Sequence, residues 1–251
     1  MPIDKTVHSF NEAVSDIKDG ATLMIGYFGH PGECPCWLIR ALAERGTKNL
    51  TIISNMPGWG RTLIPLFLER MKGLIKYPSW WDDPGLLVEN GQVKKAICSW
   101  ASGMSPAHVN EFEKRFRAGE VELEMVPQGT LAERIRAGKA GIRAFYVPTG
   151  VGTLAEEGKE ARVFEGKKYL LEHALKADFA LIHAHKADRW GNLVYKGTSR
   201  TFNATMAGAA AVTIAEVDEI VEAGELDPEA IVTPALYVDR IVARPAEGMQ
   251  Q

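Results

Sequence analysis

The sequence predicts an α/β protein: an open, mostly parallel, doubly wound sheet with flanking helices. Two observations carry that expectation. Residues 21–25, 50–53, 93–98 and 179–183 are short apolar runs without helical period, the content of strands buried on both faces. Between them lie stretches with helical spacing, and this alternation through residues 1–140 is what parallel strands joined by helical crossovers require.

Residues 9–18 carry Phe10, Val14 and Ile17 at helical spacing and close on Asp19-Gly20, where glycine suits a left-handed helix end. The first strand, 21–25, runs into Gly26-Tyr27-Phe28-Gly29-His30-Pro31-Gly32, and a helix is expected over 35–44. Strand, glycine-rich turn and helix in succession expose backbone N–H groups to an anionic ligand. The turn holds no full GxGxxG or phosphate-loop pattern. A second strand, 50–53, ends at Ser54-Asn55. Residues 56–85 carry Trp59, Trp80 and Trp81 among several prolines, with a helix expected over 62–74 and a loop at YPSWWDDPG. A strand at 93–98, a helix at 106–117, a strand at 121–125 and a helix at 129–137 follow.

Residues 140–166 read as irregular, glycine-rich backbone. Order resumes with a helix at 169–175, a strand at 179–183, a helix at 204–210 and a strand at 212–217. The polar run Lys186-Ala187-Asp188 then falls at the carboxyl end of a strand, where open α/β sheets bind ligands. Gly191-Asn192 and Leu193-Val194 after it equally fit an ordinary strand, turn and strand. With no repeat or linker, residues 1–251 are expected to form a single domain, with 56–85 as an aromatic-rich insertion.

Hydrophobic residues make up 46% and charged residues 24%, a globular composition. A net charge of -3 gives no pull toward nucleic acid. No apolar run approaches the roughly 20 residues of a membrane span, and the opening MPIDKTVHSFNEA lacks a signal-peptide core. A cytoplasmic location is therefore expected. Cys34, Cys36 and Cys98 are an odd number without framework spacing, as reduced thiols would be, and no metal site is expected.

Several segments together resemble the A (alpha) subunit of family I coenzyme A transferases of the 3-oxoacid and 3-oxoadipate type. They are Gly26-Tyr27-Phe28-Gly29, Ser54-Asn55, Pro127-Gln128-Gly129-Thr130-Leu131-Ala132-Glu133-Arg134 and the run KADRWGNLVYKGTSRTFN from Lys186 to Asn203. The likeness continues through Glu216-Val217-Asp218-Glu219 and Tyr237-Val238-Asp239-Arg240, so it spans nearly the whole chain in order. It implies a reaction in which a glutamate carboxylate attacks an acyl-CoA thioester, and CoA passes to a second acid through a glutamyl-CoA intermediate. In the family that glutamate lies on the B (beta) subunit. A beta-subunit partner in a hetero-dimer or hetero-tetramer is thus implied, with acyl-CoA and a carboxylic acid as substrates and no cofactor.

By the same resemblance, Asn55 and Gln128 are expected to orient the thioester or stabilise its oxyanion, since both amides donate N–H without titrating. Gly26, Phe28, Gly29 and Lys186 are expected to bind substrate. Tyr27 stands where the family's GGFG turn has its second glycine, which raises the expectation of an altered turn or acyl pocket. Glu89-Asn90-Gly91 resembles the segment after the partner's nucleophile, yet it precedes a strand and reads as a solvated turn acid. His185 reads as a packed or surface histidine. A CoA-thioester hydrolase, or a non-catalytic binding protein of this fold, are the rival functions.

Overall fold

The computed structural model of the chain describes residues 3–74, 78 and 80–245. Four strands come first in the sequence: β1 (Thr22–Ile25), β2 (Leu50–Ile53), β3 (Val93–Cys98) and β4 (Glu122–Met125). β5 (Ala144–Val147), β6 (Ala161–Phe164) and β7 (Lys167–His173) follow, then β8 (Ala177–Asp188), β9 (Leu193–Val194), β10 (Ala210–Val221) and β11 (Arg240–Ala243). The main sheet runs β11-β10-β8-β1-β2-β3-β4, every one of these neighbours parallel, with β9 added antiparallel to β8. β5, β7 and β6 form a separate antiparallel sheet in that order.

Central strands alternate their side chains between two apolar cores. Leu23 and Ile25 face one cluster and Met24 the other; Leu181 and Ile214 face the first, Ile182 and Ala215 the second. Period-two burial on both faces is why these strands read as unbroken apolar runs. Five helices cover the first face: α1 (Phe10–Ala13), α2 (Cys36–Arg45), α3 (Gly60–Arg70), α4 (Gly85–Glu89) and α5 (Glu111–Arg117). The other is covered by α6 (Gln128–Ala140) and α7 (Asn203–Met206). Each fully buried Leu or Ile contributes about 1.5–3 kcal/mol. The doubly wound expectation is met.

Several elements differ from their expected form. The helix expected over 169–175 is absent: residues 169–173 belong to strand β7, where Leu170 and Glu172 are buried in alternation and a partnered glutamate at a buried position hides the apolar period. The Glu172 carboxylate is satisfied by Lys159 Nζ at 2.5 Å. Residues 140–166 are not irregular throughout, because they hold β5 and β6, whose residues are half-buried or exposed and leave no apolar pattern. β8 runs on to Asp188, so Lys186-Ala187-Asp188 lies inside a strand and pairs with β9 as a hairpin. The expected helices at 9–18, 106–117 and 204–210 are shortened to α1, α5 and α7. In α5 the cause is Asn110, whose Oδ1 accepts from Glu113 N at 2.8 Å and starts the helix late. α4 and β11 carried no expectation. Of the YPSWWDDPG loop, Tyr77 and Ser79 lie outside the described residues, as do Met1 and Pro2 of the opening segment. Among the described residues, no helix is long and apolar enough to cross a membrane.

Asn203 ties the sheet to its loops. Fully buried, its Oδ1 accepts from His183 N at 3.0 Å, while Nδ2 donates to Glu33 O at 2.9 Å and Ser199 O at 3.0 Å. The side chain lies against Gly26, where an added Cβ would come within 1.7 Å of Oδ1. Glycine is needed there for close approach. Gly26→Ala should therefore displace Asn203 and cost about 3 kcal/mol, read as a lowered urea midpoint at unchanged m.

Candidate functional site

A cleft of about 850 Å³ opens beyond the carboxyl ends of the parallel strands. Its walls follow from topology: Phe28 and Gly29 come just after β1, Asn55 and Met56 after β2, Ser99 and Trp100 after β3, and Gln128 after β4. Thr201 closes the side toward β8. Strand order reverses between β1 and β8, the kind of switch point that leaves a crevice in an open sheet. A smaller hollow of about 240 Å³ shares Phe28, Gln128 and Thr201 with it.

At the cleft a chain of amides links three of these loops. Gln128 Nε2 donates to Asn55 Oδ1 at 2.7 Å, and Asn55 Nδ2 donates to Phe28 O at 3.2 Å. Asn55 is buried, and its backbone carbonyl accepts from Ser99 N and Trp100 N, both at 3.0 Å. Gln128, the first residue of α6, is exposed at the mouth. Each amide nitrogen bears two hydrogens, so one on each remains for a ligand carbonyl or oxyanion.

The turn after β1 is shaped by Glu33, which is buried beside the cleft. Its Oε1 accepts from Phe28 N at 2.7 Å and His30 N at 3.0 Å. Burial raises the Glu33 carboxyl to about 7, outweighing the backbone N–H groups that favour its ionised form. Gly29 holds φ +126°, open to glycine and strained for other residues. Thr201, at φ +26°, is a non-glycine residue in the left-handed region at the cleft wall, a form of backbone strain found at ligand sites.

Phe28, Gly29, Asn55 and Gln128 thus converge on one cleft, and Lys186 does not. Its Nζ pairs with Glu219 at 2.6 Å across β8 and β10, and it is not among the residues lining the cleft. Gly26 also stands apart from the lining and serves Asn203 instead. Tyr27 does not alter the cleft directly: its side chain is fully buried and its hydroxyl donates to Asp83 Oδ2 at 2.7 Å. Glu89 caps α3, its carboxylate accepting from Arg61 N and Thr62 N at 3.0 Å each. His185 Nδ1 lies 3.0 Å from Asp218 Oδ2. Among the described residues no group of His, Cys, Asp or Glu could hold a metal ion. Sequence reasoning missed Glu33 and Ser99 at the cleft. The spacing of Glu33 after Phe28, within reach of that turn's N–H groups, is the one signal that could have found it.

The model of the coenzyme A transferase family matches residues 7–244. The A subunit of the 3-oxoadipate CoA-transferase of Acinetobacter baylyi is 49% identical over 96% of this chain and 95% of its own. The A subunit of the probable succinyl-CoA:3-ketoacid coenzyme A transferase of Bacillus subtilis is 45% identical over 95% and 89%. Among solved structures, the acyl-CoA transferase YdiF of Escherichia coli O157:H7 superposes with a TM-score of 0.80 at 24% identity, covering 98% of this chain. This chain spans about half, 48%, of the YdiF chain. The chain belongs to the coenzyme A transferase family, enzymes that move CoA between an acyl-CoA and a carboxylic acid. Within that family it is an alpha subunit of the 3-oxoacid type.

The raised Glu33 carboxyl gives a signed pH dependence. From its ordinary value near 4.5 up to about 7, the unfolded chain releases this proton while the folded chain keeps it, so stability falls as pH rises. Glu33→Gln keeps an acceptor for both N–H groups and cannot titrate. Relative to that variant, the native chain should lose about 3 kcal/mol between pH 4.5 and 7 and then level off, as urea unfolding at a series of pH values would show.

Proposed function

We propose that this chain furnishes one wall of a shared active site and that the acylated carboxylate comes from a beta subunit. The acyl-CoA thioester lies across the cleft mouth, and the partner's glutamate attacks its carbonyl carbon. The carbonyl electron pair moves onto oxygen, giving an oxyanion, and collapse expels the CoA thiolate and leaves a mixed anhydride. CoA thiolate then attacks the glutamyl carbonyl, releasing the acid; the second acid's carboxylate reverses these steps and takes up CoA. Asn55 and Gln128 stabilise or orient the oxyanion with their remaining amide hydrogens.

The single observation that carries this reading is the amide chain Gln128–Asn55–Phe28, which fixes two uncharged donors at the strand ends. It matters that they do not titrate: their donor strength is the same at every pH at which the attacking glutamate is ionised. We further propose a cytoplasmic protein of one domain spanning 1–251, with 56–85 as an addition. Supporting this, Met56, Ile64 and Trp81 of that segment pack in the same core cluster as Leu23 and Ile25, and the three cysteines are free and buried.

In the co-purified two-subunit enzyme, Gln128→Ala should lower kcat for CoA transfer about 100-fold, the usual cost of one oxyanion donor, while the complex elutes unchanged on size exclusion. Full turnover in that variant would remove Gln128 from the role. Transfer to an acid, rather than release of free CoA to water, separates transferase from hydrolase.

A further inference from the structure

Beyond the Asn55–Gln128 amides the cleft is walled by Phe28, Met56, Trp59, Phe67 and Trp100. Trp59 stacks on Phe67 with ring centroids 5.8 Å apart, and Phe67 meets Trp81 edge-on at 5.6 Å. Met56, Trp59 and Phe67 all belong to residues 56–85, a segment held by two adjacent buried aspartates. Asp83 accepts from Trp59 N at 2.6 Å, Gly60 N at 3.0 Å, Gly85 N at 2.9 Å and the Tyr27 hydroxyl. Asp82 accepts from Arg61 Nε at 2.8 Å and pairs with Arg40. The wall is therefore built before any ligand arrives, and its anchor is the tyrosine that replaces a glycine in the turn after β1.

The ionisable groups facing this cleft offer no cation at neutral pH. They are Glu33, a carboxyl, and His30, whose ring partial burial pulls below its ordinary value. Among the described lining residues there is no lysine or arginine. Against this wall a second carboxylate on a substrate would lose hydration without gaining a counter-charge from it, whereas each buried methylene gains about 0.8 kcal/mol.

We propose that the Met56, Trp59 and Phe67 wall receives the tail of the acyl group and selects 3-oxoacids with an uncharged apolar tail over those ending in a second carboxylate. Trp59 is the specificity-determining residue. For the reaction this rests on the CoA-transfer reading above; for binding it rests on the wall alone.

The test uses the co-purified two-subunit enzyme with one acyl-CoA donor and 3-oxobutanoate, 3-oxooctanoate or 3-oxoadipate as acceptor. Quenching of tryptophan fluorescence by octanoate and by adipate is measured alongside. We expect kcat/KM for 3-oxooctanoate to exceed that for 3-oxoadipate by about 30-fold or more. Trp59→Ala should lower kcat/KM at least tenfold more for 3-oxooctanoate than for 3-oxobutanoate. Trp100→Arg, at a side chain 54% exposed and so tolerant of change, should move the preference toward 3-oxoadipate. A native preference for 3-oxoadipate, or an equal loss on all three acceptors in Trp59→Ala, overturns the proposal. Transfer without discrimination between tails likewise overturns it and leaves the reaction intact. Octanoate quenching in an enzyme that transfers CoA to no acid supports the pocket and overturns the reaction instead.

Discussion

The loops that leave β1, β2 and β4 must meet at one edge of the sheet, and the buried side chain of Asn203 is what brings the first of them there. It bonds β8 through His183 N, the turn after β1 through Glu33 O, and its own loop through Ser199 O. One amide bonds three backbone groups, so losing it leaves several hydrogen bonds unmade rather than one. Glu33, held in place by that contact, in turn gathers Phe28 N and His30 N. Phe28 O is then positioned to receive Asn55, and Asn55 to receive Gln128.

Charge is buried behind this edge in two different ways. Glu216 accepts from Trp37 N and Leu38 N at the start of α2 and from Arg244 Nε at 2.5 Å, so the positive helix end and a guanidinium share one carboxylate. Arg244 also reaches Asp218, whose carboxyl is held well below the usual range by His183, His185 and Arg244 despite burial. Asp83 and Glu33 have backbone donors and no guanidinium, and burial wins: Asp83 is raised to about 6 and Glu33 to about 7. Asp218 is thus held in its ionised form, while burial raises the carboxyls of Glu33 at the cleft and of Asp83 behind its aromatic wall.

Much of this was legible in the sequence. Strands such as β1 and β2 are buried on both faces and show as apolar runs; the cleft residues Phe28, Gly29, Asn55 and Gln128 follow strand ends, where ligands collect in such sheets. What stayed hidden has physical causes. β6 is exposed along its length and β7 buries a glutamate, so neither has a strand period to read. Lys186 looked like a ligand because its strand was expected to end early; it faces Glu219 instead. Tyr27 looked like a change to the turn, and only its bond to Asp83, 56 residues away, shows that it anchors the aromatic wall.

Among the described residues lining the cleft, the one carboxyl is Glu33, whose Oε1 accepts from Phe28 N and His30 N; Glu89, away from the lining, caps α3. In the proposed reading, the covalent step on carboxylate oxygen falls to a beta-subunit glutamate. The direct measurement is peptide mass mapping of the two-subunit enzyme after incubation with acyl-CoA and borohydride or hydroxylamine trapping. Modification of a glutamate on the partner, with none on this chain, is the result expected here; a trapped adduct on Glu33, Glu89 or any other residue of this chain would contradict it.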